Sequence, residues 1–138
     1  MKIVYSLLVL IMCSFSAFAQ PANRSKTMGT TVEPVHADIT IGGAATMIKN
    51  NKNAIYLDVR TPEEIKTGKV LNALEMDIKS PTFSAQLDKL DKNKTYIVYC
   101  HVGGRSETAA KMMKTKGFVQ VYNMNGGWKE YSAKNATK

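Results

Sequence analysis

Two short, mainly apolar runs restrict the fold of this chain more than anything else in it. Ala54-Ile-Tyr-Leu-Asp-Val59 and Thr95-Tyr-Ile-Val-Tyr99 are rich in β-branched and aromatic residues and too short for buried helices. They read as strands buried on both faces, the kind found in parallel sheets with helices on each side. Parallel neighbours need long crossovers rather than tight turns, and the sequence supplies helix-period segments to make them. Apolar stripes fall at Ala44, Met47 and Ile48, at Phe83, Leu87 and Leu90, and at Ala109, Met112 and Met113, the last with Lys111, Lys114 and Lys116 turned away. These stripes are core-facing surfaces rather than cofactor boxes. Gly117 stands where a helix closes with a left-handed residue. Val119–Tyr122 reads as a further strand, and Gly126-Gly127 precedes a short helix carrying Trp128 and Tyr131. The expected class is α/β: a single domain with a mostly parallel central sheet of about five strands, right-handed crossovers and helices on both faces.

The amino terminus does not share this pattern. Lys2 precedes an almost wholly apolar or small stretch over residues 3–18, and Ala17-Phe18-Ala19 has the small-x-small form of a signal-peptidase site. Residues 1–19 are therefore expected to be a cleaved signal peptide, and the mature protein to be exported, periplasmic or secreted. A spanning helix needs about 20 apolar residues, and Ser6, Ser14 and Ser16 interrupt this shorter run, so no stable membrane association is expected after cleavage. A lipid anchor on Cys13 is disfavoured by Met12, since such anchors want a small residue there. Residues 20–34 are polar, aperiodic and contain two prolines, and read as a flexible lead-in. The domain is expected over 35–138.

Losing the leader lowers the formal net charge from +8 to +7 and leaves Cys100 as the sole cysteine. A free thiol in an oxidising compartment is a liability unless its reactivity is used. The common alternative is a buried cysteine acting as a small hydrophobe, and its neighbours decide between the two. Cys100 ends a buried strand, the position where ligands bind in open α/β sheets. Gly103 and Gly104 allow a tight loop to turn its backbone N–H groups toward the sulfur. The helix beginning near Arg105 adds the positive end of its dipole, and Arg105 adds a fixed charge. Such surroundings lower a cysteine pKa from about 8.5 into the range of roughly 3.5 to 7.5, so Cys100 reads as a nucleophilic thiolate in an anion cradle. Four residues separate Cys100 from Arg105, whereas a tetrahedral phosphate normally takes a five-residue interior.

The segment Tyr99-Cys-His-Val-Gly-Gly-Arg-Ser106 resembles the active-site loop of single-domain rhodanese-family sulfurtransferases. Leu57–Ile78 is similar to that family's earlier motif, and Val121–Tyr131, with its Gly-Gly pair and aromatic residue, to its closing segment. The resemblance implies that Cys100 carries a persulfide, that Arg105 closes the loop with it, and that His101, Val102, Gly103, Gly104 and Ser106 bind the substrate. It also implies that Asp58 and Arg60 brace the loop; a surface ion pair is the alternative. Lys69, Leu71, Asn72 and Ala73 depart from the family's usual His and Pro-Gly-Ala step, which puts that surface loop in question. Glu64, Gly126, Gly127 and Trp128 read as structural residues (Glu64 in helix packing, Gly126-Gly127 as a tight turn, Trp128 as a buried aromatic), and His101 as a solvent-facing loop residue able to add partial positive charge.

The expected reaction moves sulfane sulfur from thiosulfate, or a similar anionic donor, through Cys100 to a thiophilic acceptor such as cyanide or a thiol. A slow persulfide carrier serving a partner protein is the main alternative, and a phosphatase or arsenate reductase on the same fold a lesser one. No cofactor is expected, and His36 has no ligand-like spacing to support a metal. The scattered lysines, without interleaved aromatics, argue against nucleic acid. A monomer is expected.

Overall fold

A computed structural model describes residues 34–136; the leader and all but Pro34 of the 20–34 segment lie outside them. The described chain forms β1 (Val35–Ile39), α1 (Ile41–Asn50), β2 (Ala54–Asp58), α2 (Pro62–Ile65), β3 (Leu74–Glu75), α3 (Phe83–Asp88), β4 (Thr95–Tyr99), α4 (Gly104–Thr115), β5 (Gln120–Met124) and α5 (Gly127–Asn135). The five strands make one sheet in the order β1-β5-β4-β2-β3, every pairing parallel. The expected α/β class is thus the observed one.

Strand β4 lies in the middle of the sheet and is buried along its whole length. Successive side chains on a strand point to opposite faces, and β4 divides accordingly. Tyr96, Val98 and Cys100 pack with Phe83, Leu87, Ala109, Met113 and Phe118 on the side of α3 and α4. Ile97 and Tyr99 pack with Ile41, Ala44 and Met124, flanked by Trp128 and Tyr131, on the side of α1 and α5. That alternation fixes the site, because Cys100 continues the face covered by α4 and its sulfur turns toward that helix's first turn.

Strand β5 extends to Met124, past the expected Tyr122, because pairing with β1 continues through Asn123–Asp38 and Met124–Ile39. Helix α3 stops at Asp88, so Leu90 packs on the same core from just beyond it. The questioned loop at 69–73 is well formed: Val70 and Ala73 are buried, Asn72 takes the left-handed conformation, and Lys69 pairs with Glu75.

Candidate active site

Cys100 directly follows β4, and α4 begins four residues later at Gly104. Gly103, at φ 121°, makes the turn that brings the chain back over the sulfur. Its N–H donates to Cys100 Sγ at 3.1 Å, and the Ser106 hydroxyl approaches the same atom at 3.6 Å. Burial pushes the Cys100 thiol up. Hydrogen bonds from the Ser106 hydroxyl and from the backbone N–H groups of Ser106, Gly103 and Val102 more than offset it, leaving the thiol below its ordinary value. The positive end of the twelve-residue α4 lies at the same point. His101 and Val102, by contrast, are exposed on the outer rim.

A second helix holds the loop from behind. Trp128 N–H donates to the Cys100 carbonyl at 2.8 Å, and Lys129 N–H to the His101 carbonyl at 3.0 Å, so the first turn of α5 takes up both loop carbonyls. This close approach is possible only because Gly127 lacks a side chain: a Cβ there would stand 2.6 Å from the Cys100 carbonyl oxygen. Gly126-Gly127 is therefore part of the site's support, a role its reading as a simple tight turn missed. Trp128 is only partly buried, not the buried aromatic expected, because its ring caps Arg60 at the surface of the core.

Arg105 is held in place by Glu64. Its Nη1 and Nη2 donate to Glu64 Oε2 and Oε1 at 2.7 and 2.6 Å, a bidentate fork; Glu64 first and Cys100 to a lesser degree raise the guanidinium's pKa. Hydrogen bonding from Arg105 lowers the Glu64 carboxyl to about 2, against the opposing effect of burial. Glu64 had read as a helix-packing residue, and the correction has a local cause. Thr61, Pro62 and Glu64 form a capping box in which the Thr61 hydroxyl accepts from Glu64 N–H and Glu64 accepts from Thr61 N–H. The cap fixes the carboxylate at the N-terminus of α2, and Arg105 reaches across to it. The sequence signals the cap but not the partner 41 residues away.

Asp58 and Arg60 are fully buried, which overturns the surface-pair alternative. Arg60 Nε and Nη2 donate to Asp58 Oδ1 and Oδ2 at 2.9 and 2.7 Å. Arg60 also donates to the carbonyls of Gly68 at 2.8 Å and Glu64 at 3.4 Å, and its guanidinium lies 4.8 Å from the Trp128 ring centre. Neither side chain hydrogen-bonds the Cys100 loop. What links the pair to the loop is the turn carrying Glu64 and Trp128 at the head of α5. Breaking a buried ion pair strands the remaining charge and typically costs about 3–5 kcal/mol. Asp58→Asn should therefore lower the thermal midpoint by more than about 10 °C in a domain of this size, measured by circular dichroism. A midpoint within a few degrees of wild type would contradict this account of the pair.

Among the described residues no group of His, Cys, Asp and Glu side chains has the arrangement of a metal site. The fold and loop define a class: parallel α/β domains that present a cysteine sulfur at a strand end within a cradle of backbone amides. The rhodanese-like domain model matches residues 42–134, and the chain belongs to that family. The tRNA uridine(34) hydroxylase of Buchnera aphidicola subsp. Schizaphis graminum is 38% identical over 87 residues, which are 59% of this chain and 27% of that protein. The chain thus spans about a quarter of the length of such curated relatives. A rhodanese-like domain protein from Staphylococcus aureus superposes with a TM-score of 0.59 at 27% identity, covering 67% of this chain and 87% of that one. A human single-domain sulfurtransferase, at 17% identity, shares the fold with a TM-score of 0.59 over 70% of this chain and 96% of its own.

Proposed function

We propose that the protein is a sulfurtransferase that shuttles sulfane sulfur through a persulfide on Cys100. The observation carrying this reading is the convergence of loop N–H groups and the Ser106 hydroxyl on one buried sulfur whose pKa they depress. In the first step the Cys100 thiolate attacks the outer sulfur of thiosulfate. A sulfur–sulfur bond forms to Cys100, the donor's own sulfur–sulfur bond breaks, and sulfite leaves with the electron pair. The cradle that held the thiolate then holds the terminal sulfur anion. In the second step cyanide or a thiolate attacks that sulfur, and Cys100 leaves as thiolate.

The four-residue loop interior favours this over phosphatase or arsenate reductase chemistry, and Cys100 is the only described cysteine. The curated relatives' name refers to tRNA, but this chain matches only about a quarter of their length, and sulfur transfer does not draw on that activity. The exposed rim residues His101 and Val102 favour one second reading, a carrier that hands sulfur to a partner protein. Steady-state assay with excess thiosulfate and cyanide separates the two: an enzyme turns over many times, whereas a carrier stops after one sulfur per chain.

Arg105 supplies positive charge at the donor-binding mouth and fastens the loop to α2. Arg105→Lys keeps the charge but loses the bidentate fork. It should raise the Michaelis constant for thiosulfate and slow turnover moderately, with Arg105→Ala more severe in both. The Ala variant should also raise the pH at which Cys100 reacts with iodoacetamide. Glu64 ionises near 2 and stays charged wherever Cys100 titrates, so the acid limb of wild-type activity should rise as a single proton leaves Cys100. Wild-type alkylation and transfer rates in Arg105→Ala would remove Arg105 from the site.

We also propose that residues 1–19 are removed on export and that the mature protein is a monomer handling small anions. Expression with the leader in a bacterial host should yield periplasmic protein whose first residue is Gln20; an intact Met1 terminus in the soluble fraction would contradict this.

A further inference from the structure

The Ser106 hydroxyl carries one proton and faces three acceptors: Asn123 Oδ1 at 2.7 Å, the Gly103 carbonyl at 2.9 Å and Cys100 Sγ at 3.6 Å. All of these residues are buried. A hydroxyl donates that proton to one acceptor at a time, so a proton given to Asn123 is withheld from the sulfur. The Asn123 amide is oriented from its far side, where Nδ2 donates to Asp38 Oδ1 at 3.1 Å and, at a longer 3.5 Å, to Asn125 Oδ1. An ionised carboxylate only accepts, which turns the amide nitrogen toward Asp38 and leaves the oxygen facing Ser106. Asp38 stands opposite Asn123 in the β1–β5 register, exposed on the edge strand. Its charge-assisted bond polarises the amide and strengthens the oxygen as an acceptor.

We propose that Asn123, oriented by Asp38, is a positioning residue that competes with Cys100 for the Ser106 proton and so limits how strongly the thiolate is stabilised. With the thiol neutral, the hydroxyl points to Asn123. When the thiol ionises, the hydroxyl turns to the sulfur and Asn123 loses its donor, which offsets part of what the loop amides contribute. A less stabilised thiolate is the more nucleophilic one, since nucleophilicity falls as thiol pKa falls. The inference rests on Cys100 being the reactive thiolate of the proposed transfer.

The charged groups around Cys100 are Arg105 with Glu64 bound to it, Glu107 in the first turn of α4, the internally paired Asp58–Arg60 beyond β2, His101 in the loop, Lys129 on α5, and Asp38 through Asn123. Exchanging Asn123 for an apolar residue of similar size leaves the others in place and cuts only the link to Asp38.

The test is the pH dependence of iodoacetamide alkylation at Cys100, which needs no sulfur donor. Asn123→Leu should lower the midpoint by roughly half a unit to one unit, the size of one hydrogen bond's net effect. Ser106→Ala should raise it, and in the Ser106→Ala background Asn123→Leu should produce no further shift. Asp38→Ala, at an exposed position, should shift the midpoint the same way as Asn123→Leu but by less, and should also have no effect without Ser106. If Asn123→Leu does not fold, Asp38→Ala carries the test. A wild-type midpoint in the folded variants, or a shift that persists without Ser106, overturns the proposal. Failure of the sulfur-transfer reading looks different: a depressed wild-type midpoint with no sulfur taken up from thiosulfate.

Discussion

Cys100→Ser is expected to reduce sulfur transfer by at least about a thousandfold, because removing the nucleophile removes both steps of the reaction. The serine hydroxyl stays protonated at every pH the protein tolerates, and the loop amides cannot bring it into the ionising range. Folding should be little affected, since serine fits the same buried space and can accept the same Gly103 N–H. One stability difference should appear, and its sign follows from the depressed Cys100 pKa. A group whose pKa falls on folding contributes stability that is full above its unfolded value, about 8.5 for cysteine, and is lost as pH falls through the folded value. Wild type and Cys100→Ser should melt alike in acid, and wild type should gain on the variant as pH rises toward and past about 8.5. Residual transfer above a few per cent would contradict the assignment of the nucleophile.

The second large effect is expected at Gly127. Its φ of 53° already lies where side chains are strained, and a Cβ would press on the Cys100 carbonyl at 2.6 Å and the His101 carbonyl at 2.7 Å. Gly127→Ala must therefore push the loop away from α5 and loosen the two N–H bonds that seat it. Displacements of about 1 Å in catalytic geometry can cost about a hundredfold in rate, and turnover should fall by at least that much, with a lowered thermal midpoint. Gly42→Ala in α1 is the control. Nothing lies within 4 Å of a Cβ there, and alanine in place of glycine in a helix should stabilise by roughly 0.5–1 kcal/mol and leave transfer unchanged. Equal activity in the two variants would show that the Gly127 contact does not hold the loop.

The sheet was legible because its central strands are extreme. Mainly apolar runs at 54–59 and 95–99, with helical stripes around them, permit little but a parallel α/β sheet. The missed elements are those with weak patterns. Strand β1, at the sheet edge, has no fully buried position and no alternation (Ala37 and Asp38 are both exposed, Val35, His36 and Ile39 half-buried), and β3 is two exposed residues paired with the end of β2. At the site, the loop residues from Cys100 to Ser106 were readable because their chemistry is local: a strand end, two glycines and a helix start. What eluded the sequence is whatever depends on contacts between distant segments. Glu64 meets Arg105 and Gly127 meets the Cys100 carbonyl only once the crossovers are folded, and Asn123 reaches Ser106 only because β5 lies beside β4. Asp58 and Arg60 show the same limit, since a carboxylate and a guanidinium two residues apart leave loop support and a surface pair both open until their burial is known.

The claim that joins these observations is that Cys100 accepts a transferable sulfur, and intact-protein mass spectrometry tests it without an acceptor or a coupled assay. Protein incubated with thiosulfate and freed of small molecules should gain the mass of one sulfur atom per chain. That mass should map to the peptide containing Cys100, disappear on treatment with cyanide or a thiol reductant, and be absent from Cys100→Ser treated in parallel. A wild-type protein that shows no added sulfur while still converting thiosulfate and cyanide to sulfite and thiocyanate, or one whose added sulfur maps elsewhere, would contradict the account.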